Sequence, residues 1–216
     1  HSMSMEFFCW KYLDYFYGGQ TKKAKLQHLT DALIFLPYGT MVDHFQHIVY
    51  ENPALTPAER NAEWLRLEKI YRPFMDASGV PGYEDGRLWQ RQLHIYEYPF
   101  YYIDYCLAQT VALEYWAMSQ EDYGKAFEKY LAFLEQGGRM TFTELCAVGQ
   151  VVSPFTEGAT KKVVSAAQAA VKKGVDRAKI YALIAEKNNG NDSPTEIPTI
   201  ALCNEITTAI KAFNAP

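Results

Sequence analysis

The chain has 216 residues, 49% hydrophobic and 21% charged, enough for one well-packed domain or two small ones and unlike a disordered chain. A formal net charge of −4 argues against a nucleic-acid binder, which needs a basic stripe to replace phosphate counterions. No apolar run reaches the roughly 18 residues of a membrane span, and the first residues do not read as a signal peptide.

The pattern predicts helices in sequence. Residues 3–17 form the first, stopped by Gly18-Gly19. A second starts near Leu26, is kinked or restarted at Pro37, and runs to Asn52-Pro53. Thr56-Pro57-Ala58-Glu59 supplies a capping residue, a first-position proline and a third-position carboxylate. The helix it opens carries Trp64, Leu67, Ile70 and Tyr71 on one face and stops near Pro73. Ser78 to Gly86 is a loop, and helices follow at 99–118, 120–136, 141–149 and 158–173. No strand-like alternation persists, so the predicted class is all-α.

Composition shifts along the chain. Residues 1–158 carry 13 basic and 20 acidic side chains; residues 159–216 carry 8 and 5. Only Tyr181 and Phe213 among the aromatics lie beyond residue 156. The expected organisation is a packed unit over 1–174 and a helical appendage over 175–216. Cys9, Cys106, Cys146 and Cys203 form no CxxC motif and read as reduced thiols of a cytoplasmic protein.

Aromatic residues make up 15% of the chain, and they are densest in His94-Ile95-Tyr96-Glu97-Tyr98-Pro99-Phe100-Tyr101-Tyr102-Ile103-Asp104-Tyr105. Pro99 suits a first helical position with Tyr98 as its cap. At helical spacing Phe100, Ile103, Leu107 and Val111 form an apolar stripe, with Tyr98, Tyr101, Tyr102 and Tyr105 on an arc of about 100° opposite. Those phenols either bond neighbouring backbone within a core or line a polar cleft, where a phenol near a histidine can donate to a developing oxyanion. A second candidate, His44, His47 and Glu51 beside Asp43, has an HxxH spacing that is weak for zinc and reads better as a polar helix face. His28 and Lys22, Lys23 and Lys25 read as solvated positions.

Several segments resemble the oligoendopeptidase F branch of the thimet-oligopeptidase-like zinc peptidases. They are His1-Ser2-Met3-Ser4-Met5-Glu6-Phe7; Leu36-Pro37-Tyr38-Gly39 with Val42-Asp43-His44-Phe45-Gln46-His47; and Tyr50-Glu51-Asn52-Pro53. Gly86-Arg87-Leu88-Trp89-Gln90 with His94, Pro99-Phe100-Tyr101-Tyr102-Ile103-Asp104-Tyr105, and Ser153-Pro154-Phe155 with Glu157-Gly158 continue the match in the same order. The resemblance implies the C-terminal helical portion of a zincin-type oligopeptidase catalytic domain, beside a deep peptide channel. It implies Zn2+ held in the complete enzyme by HExxH and a later glutamate. This chain has no HExxH. Ser2 matches the serine that follows the ligand glutamate by three positions, so the expectation is native sequence from His1 and a segment beginning just after the metal site.

The resemblance also implies that His94, Tyr98 and Tyr105 are the catalytic groups on the substrate carbonyl, with Tyr102 and Tyr101 as substrate contacts and no metal ligand in this chain. Ile95-Tyr96-Glu97 is one residue shorter than the glycine-rich loop of the thimet branch, which leaves the division of roles among the tyrosines open. The partners implied are short peptides and a complementing N-terminal half or a second copy, with no nucleic acid or membrane. This chain alone is expected to be inactive and to hold no zinc tightly. The alternative is a non-catalytic helical module that binds peptides or proteins.

Overall fold

The computed structural model describes residues 1–174; the predicted appendage over 175–216 lies outside them. Every regular element among the described residues is helical, which establishes the all-α class. None of these helices is long and apolar enough to cross a membrane. The described residues divide into two compact units, one of His1–Leu33 with residues from Leu107 onward, the other of Ile34–Cys106.

The first unit opens with α1 (Ser2–Phe8), a 3₁₀ turn over Cys9–Tyr12 and α2 (Asp14–Tyr17). The single helix expected over 3–17 is therefore broken. Its second half leaves Tyr12, Tyr15, Phe16 and Tyr17 exposed, so no buried face holds it to a continuous helix. Gly18, at φ 47°, ends α2.

α3 (Thr21–Glu51) runs through Pro37 as one helix, so it does not restart there, and the unit boundary falls between its Leu33 and Ile34. His28 is not a bare solvated position: its Nδ1 accepts from Trp10 Nε1 at 2.8 Å and its Nε2 faces Glu6 at 3.2 Å.

The first unit is completed by α6 (Ile103–Glu121, from Leu107), α7 (Tyr123–Glu135), α8 (Phe142–Val148) and α9 (Ala159–Gly174). Its core gathers Phe8, Val111, Tyr115, Ala126, Tyr130, Cys146 and Val151. The phenols there all have partners: Tyr115 donates to the Gly149 carbonyl and the partly buried Tyr123 to that of Phe8, each at 3.2 Å, and Tyr130 pairs with His1 Nδ1. This part of the aromatic excess is packing.

In the second unit, α4 (Pro57–Tyr71) starts with the predicted capping box: Glu59 N–H donates to Thr56 Oγ1 while Thr56 N–H donates to Glu59 Oε2. Trp64, Leu67 and Tyr71 are buried as the periodicity requires, but Ile70 is exposed. Their partners are Met41, Val42 and Phe45 of α3 together with Trp89, Ile95 and Tyr102. That core carries the segment between α5 (His94–Glu97) and α6.

Candidate functional site

His94 opens α5, a single turn, and is held from both sides in sequence. Trp89 is buried and donates from Nε1 to Asn61 Oδ1 at 2.9 Å; Ile95 is buried, and its carbonyl accepts from Tyr50 Oη at 2.8 Å. The loop's entry turn depends on Gly86 at φ 76°, whose missing Cβ leaves room for the Asn61 carbonyl. His94 is thus anchored by its neighbours while its own ring stays half-buried.

The helix predicted over 99–118 starts instead at Ile103. Tyr98 closes α5 and Phe100 sits at φ +63°, a left-handed conformation that no helix start accommodates. Three contacts offset that strain. The Phe100 N–H donates to Gln46 Oε1 at 2.7 Å, and its ring lies against His47 (5.0 Å) and Tyr50 (5.3 Å). We expect Phe100→Gly to be more stable than Phe100→Ala by about 1 kcal/mol, because both lose the ring but only glycine accepts positive φ freely. Urea denaturation of the pair checks this; equal stabilities would show that the backbone at 100 is unstrained.

This break overturns the two-faced helix expected here. Phe100 is exposed, not part of a core stripe, and Tyr102 is only 9% exposed, against 62% for Tyr98 and 46% for Tyr101. Four of the five predicted residues nevertheless come together. The His94 ring meets Tyr102 edge-on at 5.0 Å and Tyr105 at 5.6 Å, and Tyr105 packs on Tyr101 (5.3 Å) and Tyr102 (5.4 Å). His94 Nε2 lies 3.4 Å from Tyr105 Oη. Tyr98 joins the group through the Tyr101 ring, 6.4 Å away.

Two of the phenols, Tyr102 and Tyr105, are held protonated. Burial pushes the Tyr102 hydroxyl well above the usual phenol range. Burial also raises Tyr105, and its hydrogen bond with Tyr101 raises it further. Protonated phenols beside a histidine make a surface of O–H and N–H donors, suited to an oxygen that gains negative charge.

Sequence reading did not single out Gln92 or Tyr38 for this site. Gln92 Nε2 lies 2.7 Å from His94 Nδ1, and Tyr38 Oη donates to Gln92 Oε1 at 2.8 Å. Tyr38 comes from α3, 54 residues from Gln92, so no local spacing could have revealed the pair.

The second candidate is dispersed into packing. His44 Nδ1 bonds the Tyr71 hydroxyl at 3.0 Å, whereas His47 lies between Asp43 (3.6 Å) and Glu51 (3.9 Å). Burial lowers the His44 pKa and raises that of Asp43. Among the described residues no group of three or more His, Cys, Asp or Glu side chains is placed to hold a metal ion. The described residues therefore do not fit a zinc site.

Fold and site define an all-helical protein with a histidine and tyrosine donor surface. The sequence model of peptidase family M3 matches residues 1–164. The chain belongs to that family. Two solved structures, one described as oligoendopeptidase F and the other as PZ peptidase A with an inhibitor, are each 48% identical to it with a TM-score of 0.78. An oligoendopeptidase F structure from Bacillus anthracis str. Ames is 40% identical with a TM-score of 0.68 and covers 83% of this chain. The first two each cover 82% of this chain, which spans only 31% of their length, and 28% of the third. No curated protein matches the chain.

Proposed function

We propose that this chain is the C-terminal part of a zinc-dependent metalloendopeptidase that hydrolyses short peptides, and that it supplies the groups that bind the substrate and stabilise the oxyanion. The observation that carries this reading is the convergence of His94, Tyr101, Tyr102 and Tyr105 in a member of peptidase family M3. A peptide carbonyl oxygen accepts from His94 Nε2–H and a tyrosine O–H, and these bonds strengthen as the carbonyl carbon becomes tetrahedral. Tyr105 places its hydroxyl 3.4 Å from His94 Nε2; Tyr98 and Tyr101, both exposed, are free to contact the peptide on either side of the scissile bond. Zinc and the general base belong to a segment bearing HExxH, a motif missing from this sequence.

The family relationship favours this over the non-catalytic module. The exposed aromatic run at Tyr12, Tyr15, Phe16 and Tyr17 supports a complementing segment or a second copy as partner. Among the described residues Cys9, Cys106 and Cys146 form no disulfide, which supports a cytoplasmic location.

The purified chain is expected to carry no stoichiometric zinc and to leave internally quenched fluorogenic peptides uncut. The same chain joined to an HExxH-bearing segment of the family is expected to cut them, and a chelator to stop it. Chelator-sensitive turnover by the chain alone would overturn the division of labour; no turnover by the joined protein despite bound zinc would favour the binding module.

A further inference from the structure

The hydrogen bonds around His94 can be followed in one direction. Tyr38 donates its proton to Gln92 Oε1 at 2.8 Å. With Oε1 engaged, the planar amide turns its NH₂ toward His94, 2.7 Å from Nδ1. An amide NH₂ only donates, so Nδ1 must present a lone pair, and a neutral imidazole then carries its proton on Nε2. Nε2 is the nitrogen on the Tyr105 side. The Tyr105 hydroxyl, which both donates and accepts, takes the acceptor role toward it. The series Tyr38, Gln92, His94, Tyr105 is internally consistent in this sense.

We propose that Gln92, oriented by Tyr38, is a positioning residue that assigns the ring proton of neutral His94 to Nε2, so that the histidine donates rather than accepts. The reverse series, with the amide turned over and Nδ1–H donating to Oε1, leaves Nε2 a bare acceptor that repels a carbonyl oxygen. At 3.4 Å the His94–Tyr105 bond is long, and an incoming carbonyl oxygen displaces Tyr105 from Nε2–H at little cost. Tyr38 is a stable anchor for the series: its ring is half-buried under the Arg72 guanidinium at 5.2 Å and packs edge-on against Trp64 and Tyr102.

The catalytic meaning of this assignment rests on the role proposed for His94; the assignment itself does not. Two-bond proton–nitrogen NMR correlations on the 15N-labelled chain read it directly, with His94→Asn identifying the signal, at a pH where the imidazole is neutral. The wild-type chain is expected to show Nε2 protonated and Nδ1 bare. Gln92→Glu, whose carboxylate only accepts, is expected to transfer the proton to Nδ1; Gln92→Leu and Tyr38→Phe are expected to give a mixture of the two tautomers. A proton on Nδ1 in the wild type overturns the proposal, whether or not any variant folds. So does an Nε2 proton that persists undiminished in folded Gln92→Glu and Gln92→Leu. Turnover that survives His94→Ala in the joined enzyme would instead defeat the catalytic reading and leave the tautomer where it is.

Discussion

Replacing His94 by alanine, in an enzyme that joins this chain to the metal-binding segment of its family, is expected to lower kcat about 10²–10³-fold, or about 2.7–4 kcal/mol of lost transition-state stabilisation. Zinc content is expected to stay unchanged, since the imidazole bonds Gln92 and Tyr105 and no metal ligand. The effect belongs in kcat more than in KM, because the carbonyl oxygen accepts most strongly once it is an oxyanion. The fold should tolerate the change: His94 is half-buried, whereas Ile95 and Trp89 beside it fill the core. Steady-state kinetics with a quenched fluorogenic peptide, together with metal analysis, gives the answer. Unchanged kcat removes His94 from the chemistry, and lost zinc converts it into a structural residue.

Trp64→Ala is expected to cost about 3–5 kcal/mol of stability, the range for deleting a fully buried large aromatic. Trp64 has no exposed surface, meets Phe45 edge-on at 5.1 Å, and donates from Nε1 to Glu68 Oε1 at 3.1 Å. Its removal opens a cavity beneath Tyr38 and loosens one of the two bonds on a nearly buried carboxylate, the other coming from Arg72 at 3.2 Å. Against a typical domain stability of about 5–15 kcal/mol that is a large fraction. Urea denaturation measures it, and Trp64→Phe separates ring from indole N–H. A loss below about 1 kcal/mol would mean that the site collapses around the gap.

The starts of α4 and α8 followed from the sequence because their capping signals are local. Thr56 and Thr141 both form reciprocal boxes with the glutamate three positions on, and such pairs are visible in any reading of neighbours. Pro99 looked equally local and misled. The chain after it is governed by Gln46, 54 residues earlier, which takes the Phe100 N–H, and no pattern of nearby residues encodes that bond. The same holds for the candidate site. His94, Tyr101, Tyr102 and Tyr105 were legible as a cluster because they are close in sequence. Their arrangement was not: Tyr102 turns inward against Phe35 and Tyr38, residues of α3 that periodicity alone cannot pair with it. The pairing of His44 with Tyr71 was hidden for the same reason.

The last two turns of α3 set how the loop responds to heat. Gln46 and Tyr50 fasten the loop that spans His94 to Tyr102 by two hydrogen bonds, to Phe100 N–H and the Ile95 carbonyl. Helix ends fray before cores melt, and Tyr50 stands only one residue from the end of α3. Warming should therefore loosen the Tyr50 tie to the Ile95 carbonyl first, while Gln46, fully buried beside Phe45, holds Phe100 until the core itself opens.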